Sequence, residues 1–114
     1  MQQLETEKKV EDALGESIEE IITALLSREV LDALYAHLQA TYSISRDEVP
    51  YRLDTLLSTL EKALGPQGSK TVGKAIARKL YSKLRLTFFD SPRGTLIEYM
   101  EEAKIKLGKG EGQL

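Results

Sequence analysis

The chain has no cysteine, no tryptophan, no asparagine and a single histidine, His37. Without cysteine there is no disulfide, no thiolate metal site and no thiol nucleophile. Without asparagine there is no acceptor for N-glycosylation. One histidine leaves one imidazole base, and no Gly-x-Ser-x-Gly elbow accompanies it. Long apolar runs are missing too. The longest, Ile21–Leu26, is flanked by Glu19, Glu20 and Arg28 and falls far short of the ~20 residues that a membrane span needs. The first twenty residues are rich in Glu and Lys and carry no targeting pattern. These absences lead us to expect a cytoplasmic protein with no membrane association.

The 114 residues that are present suit one domain, with 41% apolar and 30% charged residues, a globular composition. Apolar spacing is helical almost throughout. Leu31, Leu34, Tyr35, Leu38 and Tyr42 form one stripe, and Leu53, Leu56, Leu57, Leu60 and Leu64 a second. Val72, Ile76, Leu80 and Leu84 form an i+4 ridge, as do Leu96, Met100, Ala103 and Leu107. Each reads as one face turned to a core. No stretch alternates as a strand does. The expected fold is therefore all-α, a compact bundle of four to five helices over residues 1–107 with a flexible, glycine-rich tail over 108–114.

The breaks carry their own signals. Gly15-Glu16-Ser17 reads as a helix start, with Ser17 and Glu20 in capping-box spacing. Ser45 and Glu48 have the same spacing, and Pro50 stands near the start of the third helix. Gly65-Pro66-Gln67-Gly68 reads as a helix stop and turn, with Ser69 capping the next helix. Asp90–Gly94 separates the last two helices. The N-terminal part admits two readings, one long helix over 3–42 or two helices meeting near Ser27. Leu14, Ile18, Ile21 and Leu25 keep heptad-like spacing. If residues 1–27 protrude from the bundle, Leu14, Ile18, Ile21, Ile22 and Leu25 need a partner chain to cover them, which predicts a homodimer.

Several arrangements imitate chemistry. Gly65–Thr71 ends in Lys-Thr as a phosphate loop does, but Ser69 and Leu64 stand where that motif needs glycine. An exposed helix start at Gly68-Ser69, helped by Lys70 and Lys74, is a weaker anion-binding reading. Glu98, Glu101 and Glu102 crowd the last helix with no histidine at ligand spacing and read as a solvated acidic face. His37 reads as a solvated or interface histidine. No catalytic, cofactor or metal site is expected.

Charge is distributed unevenly. Residues 1–32 carry three basic and nine acidic side chains, whereas residues 70–114 carry ten basic and five acidic. From Lys70 to Arg85 there are six Lys or Arg and no acidic residue. At 100° per residue, Lys70, Lys74, Arg78 and Arg85 fall within about 80° of one another, with Tyr81 inside that sector. Lys79 and Lys83 stand at the other edge. The face admits two roles. It could contact phosphates, or basic and acidic helices could lie side by side within the bundle.

Residues from about Val30 to Leu107 resemble a small archaeal family, the Nitrosopumilus output domain. The likeness rests on Ala33–Leu38 before Tyr42, on Ile44–Pro50, on the Leu53–Gly65 segment ending in Ala-Leu-Gly, and on Ala75–Leu86. Ser43 replaces a glycine expected after the tyrosine, and Leu64 an aromatic residue before Gly65. The resemblance covers about two-thirds of the chain. It implies a non-enzymatic signal-output or regulatory module of archaeal type; from the residues we expect action through protein contacts, with nucleic-acid binding by the basic helix, Lys70, Lys74, Arg78 and Arg85, as the alternative. The resemblance carries over no binding residues.

Overall fold

A computed structural model describes residues 2–91 and 94–108, with side chains from Glu5 onward. The expected tail beyond Gly108 and residues 92 and 93 of the last break lie outside the described residues. The order is α1 (Gln2–Leu25), α2 (Arg28–Tyr42), a 3-10 turn (Arg46–Tyr51), α3 (Leu53–Leu84) and α4 (Leu96–Gly108). Among the described residues there is no strand. The all-α expectation holds, and the N-terminal segment is two helices.

Helix α1 does not protrude. Val10, Leu14, Ile18 and Ile22 have no exposed surface and lie in the chain's own core. The radius of gyration is 13.8 Å, close to the ~13 Å of a compact 100-residue domain. The expected homodimer surface is therefore corrected: Leu14, Ile18 and Ile22 are already covered by α2, α3 and α4 and have nothing left to offer a partner. Ile21 is half-buried against the same core, and Leu25 is 51% exposed. The buried ridge steps by four residues, whereas a coiled-coil seam alternates four and three. This is the row that packs globular helices against one another, and it leaves Leu25 off the stripe.

Ser17 does not begin a helix. It lies inside α1 with no exposure, and its hydroxyl donates to the Ala13 carbonyl at 2.7 Å. Backbone bonding within the helix thus satisfies a small polar group that the core has room for. The break falls at Ser27, whose side chain accepts from the Val30 N–H at 3.0 Å as the cap of α2. Helix α2 ends at Ser43 in the left-handed region, φ 57°. The Ile44 N–H bonds the Leu38 carbonyl at 3.2 Å, and the Ile44 side chain closes the motif by burial. Pro50 sits within the 3-10 turn, before α3 rather than at its start.

Helix α3 breaks at Gly65, φ 81° and ψ 169°. Pro66 opens the second limb, where its missing N–H removes no helical bond. The 66–84 limb folds back so tightly that the Ser69 hydroxyl donates to the Leu57 carbonyl at 3.3 Å. Ser69 is therefore a buried crossing residue inside the second limb, not its cap. The helix-start anion site at Gly68-Ser69 falls with it, because the limb begins earlier. The cap that the sequence reading missed is Thr95: its N–H bonds Glu98 Oε1 at 3.2 Å, and its hydroxyl accepts from the Glu98 N–H at 3.3 Å.

Charge sorts across the helix contacts. Lys83 reaches Glu20 at 2.7 Å and Glu16 at 3.3 Å, and Lys104 reaches Glu11 at 2.6 Å. Arg46 grips Glu19 through two nitrogens, and Tyr35 donates to the same carboxylate at 3.2 Å. The acidic α1 and the basic later helices do lie side by side. Glu11 is the deepest of these partners, 5% exposed at its side chain, with Oε2 lacking a hydrogen bond.

Three consequences can be measured by urea unfolding. Gly65→Ala meets no atom within 4 Å, yet its backbone lies in a region nearly closed to other residues, so a loss of about 1–3 kcal/mol is expected from conformation alone. Ser43→Gly relieves a left-handed serine and is expected to gain up to about 1 kcal/mol. Lys104→Met strands the Glu11 carboxylate and is expected to cost about 2–4 kcal/mol, largely recovered in the Glu11→Met/Lys104→Met double variant.

Candidate functional site

The site is built from the second limb of α3 and the loop over 86–95. The core ridge of that limb, Val72, Ile76, Leu80 and Leu84, is buried, which turns Lys70, Lys74 and Arg78 outward along an adjoining row. Successive members of this row rise about 6 Å along the axis. The row does not face open water alone. Asp90 from the loop stands over it, 2.7 Å from Lys74 Nζ and 3.8 Å from Arg78 Nη2. The Lys74 hydrogen bond, reinforced by the charges of Lys74, Arg78 and Lys70, holds the Asp90 carboxyl below its ordinary pKa. Among the described residues, three cations around this carboxylate leave a local charge of +2.

Two of the residues placed on this face from the sequence do not belong to it as expected. Tyr81 is 1% exposed, and its hydroxyl donates to the Tyr99 carbonyl at 2.8 Å. It is a core residue whose proton is held up to a pKa of about 12, first by burial. The helical wheel put it beside the lysines, but the loop and α4 cover that part of the limb. Arg85 lies one residue past the helix, in the left-handed region at φ 59°, so a wheel angle does not describe it; it is exposed at the start of the loop. Lys79 and Lys83 belong to the opposite edge and face α1. Glu20, held below its ordinary pKa by Lys83 first, senses both.

The loop itself is tied down. Tyr99 accepts from the Ser91 N–H at 2.8 Å and donates to the Ser91 carbonyl at 3.1 Å. Gly94 passes so close to the Tyr99 ring that a Cβ there would lie 2.7 Å from Cζ, an approach only glycine permits. Phe88 tucks inward against Tyr99, with centroids 4.9 Å apart, and edge-on to Tyr81 at 5.4 Å. The Arg78 guanidinium lies over the outer side of Phe88 at 5.1 Å. Phe89 points the other way and is 70% exposed, with Lys106 Nζ 5.3 Å from its ring centroid.

The other candidates do not assemble. His37 is exposed, its Nδ1 3.4 Å from the Thr41 hydroxyl. Glu98 caps α4, Glu102 pairs with Lys106 at 3.2 Å, and Glu101 is solvent-exposed. Among the described residues no group of three His, Asp or Glu stands close enough to hold a metal ion. An open groove of about 500 Å³ beside Gly65 is lined by Leu57, Pro66 and Ile97 with Asp54, Glu61 and Lys62. Among the described residues no helix is long and apolar enough to cross a membrane.

The loop residues escaped the sequence reading although signals were present. Asp90 is the single carboxylate between Glu61 and Glu98, and Phe88 and Phe89 are the only phenylalanines. Comparison with known proteins adds nothing to this geometry: no protein-family model, no curated protein and no solved structure matches the chain.

Tyr99→Phe is expected to release the loop without opening the core. Hydrogen exchange at the Ser91 amide should accelerate while the amides of Ile18 and Ile76 keep their protection, with a global loss of about 1–2 kcal/mol.

Proposed function

We propose that this chain is a non-catalytic interaction module, of the signal-output kind its resemblance to the Nitrosopumilus output domain implies, which works by presenting the Lys70, Lys74 and Arg78 face to a polyanionic partner. One observation carries the reading. Lys83, Lys104 and Arg46 are engaged by carboxylates of α1, whereas among the described residues the row on α3 has one loop carboxylate for three cations. A row left with surplus charge on a chain of net charge −2 raises the local concentration of an anionic surface and steers its approach. Self-association through α1 has no part in this reading, since its apolar ridge is buried.

Asp90 has a place in it. Its carboxylate occupies the position an incoming anion would take between Lys74 and Arg78. Binding is then an exchange of an internal anion for an external one, and Asp90 sets the threshold. The nucleic-acid reading is favoured over an acidic protein surface by one further feature, the exposed Phe89 next to Asp90 in the loop that pairs with this row.

The test is fluorescence anisotropy of a labelled oligonucleotide at low and at physiological salt. The wild-type chain is expected to bind at low salt and to weaken steeply as salt rises. Lys70→Glu/Arg78→Glu leaves the half-buried Lys74 in place and should reduce low-salt affinity at least tenfold, with circular dichroism unchanged. Asp90→Asn should tighten binding several-fold. Unaltered affinity in the charge-reversed variant would remove this face from the function.

A further inference from the structure

We propose that Phe89 is a stacking platform for the bases of a single-stranded nucleic acid whose phosphates run along Lys70, Lys74 and Arg78; this rests on the polyanion-binding reading above and names its partner. Phe89 is 70% exposed, yet its exposure is not slack in the chain. The residue before it is packed against Tyr99 and Tyr81. The residue after it is held by Lys74 at 2.7 Å, and Ser91 is fixed by two bonds to the Tyr99 hydroxyl. A large apolar ring is thus presented to water by a loop anchored on both sides of it. A ring held ready in this way loses little conformational entropy when a flat ligand stacks on it.

The surroundings define the ligand. Lys106 Nζ lies 5.3 Å from the Phe89 centroid and is itself paired with Glu102 at 3.2 Å, so the surplus positive charge lies with the α3 row. The neighbouring residue, Asp90, lies against Lys74 and Arg78, so the ring stands one residue along the loop from the contact with the basic row. A π-face beside a row of Lys and Arg is the pairing that single strands require, because their bases are free to stack while their phosphates remain accessible. Duplex DNA fits less well. Its bases offer no free face, and a helix must stand clear on its flanks to enter a major groove about 12 Å wide. Here the loop walls the limb and leaves the Lys74 side chain only 22% exposed. An acidic polypeptide would satisfy the lysines but has no use for the ring.

The chain has no tryptophan, so Phe89→Trp places a single reporter at the platform. The full chain carrying this change is titrated with oligo-dT, with a duplex of equal length and with polyglutamate. Its emission is expected to be quenched by oligo-dT and hardly altered by the other two. Phe89→Ala, at an exposed position where the fold should persist, is expected to weaken oligo-dT binding about tenfold while leaving the slope of affinity against salt unchanged. Lys70→Glu/Arg78→Glu should flatten that slope. If oligo-dT binds with that slope but Phe89→Ala binds as well as wild type, or Phe89→Trp emission does not change on binding, the stacking platform is wrong and the basic face stands. Tighter binding of polyglutamate than of oligo-dT would overturn the nucleic-acid partner in favour of an acidic protein. If the wild-type chain binds none of the three at low salt, the underlying reading fails as well.

Discussion

Everything in this structure is arranged around the row Val10, Leu14, Ile18 and Ile22 on α1, four side chains with no exposed surface. A helix that buries one ridge completely must be covered from several directions, and α2, α3, α4 and the 3-10 turn each supply part of the cover. Burying such side chains contributes about 1.5–3 kcal/mol apiece, so the four together outweigh any single polar contact in the molecule. The consequence for function is direct. Apolar surface committed to the chain's own core is not available as an interface, so the face that remains is read from its charge and from the apolar side chains left outside, Phe89 the most exposed of them.

Charge sorting follows from the same packing. Once α1 is central, its carboxylates stand at the seams, and the cations that face them are drawn into pairs. The exposed pairs among them stabilise little on their own, typically up to about 1 kcal/mol, whereas the Glu11–Lys104 pair has a buried carboxylate. Their effect here is to decide which cations are spent. Lys83 and Lys104 lie on the inner edges of their helices and meet Glu16, Glu20 and Glu11. Lys70, Lys74 and Arg78 lie on the outer row of the same basic limb, where among the described residues Asp90 is the carboxylate paired with Lys74 and Arg78. One run of like charge in the sequence is thereby divided into a structural half and a surface half. Of the two readings that the sequence left open, the pairing of basic and acidic helices holds at the inner edge, and the outer row is the one on which the proposed function rests.

The elements were legible where a local rule decides them. The i+4 ridges on α3 and α4, the Ser45–Glu48 spacing and the Gly65 stop all depend on residues within one or two turns. What was not legible depended on which neighbour lies across the gap. Ser17 has the spacing of a cap, yet its hydroxyl finds the Ala13 carbonyl because α1 continues through it under the cover of other helices. Leu25 fits a heptad, but the packing row advances by four and passes it by. Tyr81 shares the wheel sector of the lysines and is nevertheless buried, because the loop that follows its helix turns back over it with Phe88, and Tyr99 of α4 packs beside it. Ser43, a departure from the glycine that the family resemblance leads one to expect, takes the left-handed conformation that glycine favours. The backbone requirement at that position is met there despite the side chain.

The loop over 86–95 joins the core to the surface. It caps the aromatic cluster of Tyr81, Phe88 and Tyr99, so it is part of the core. It also carries Asp90 to the basic row and turns Phe89 outward, so it shapes the surface. The two roles constrain each other. Tyr99 is buried and makes both of its bonds to Ser91, which leaves the backbone beside Asp90 little freedom. An anion that displaces Asp90 from Lys74 would therefore have to act against a fixed backbone, and the exchange is confined to the side chain. That confinement keeps Phe89 in place whether Asp90 is paired or displaced. The position of the ring is thus set by the core and is independent of how Asp90 is paired, which links the rigidity of the core to the shape of the face.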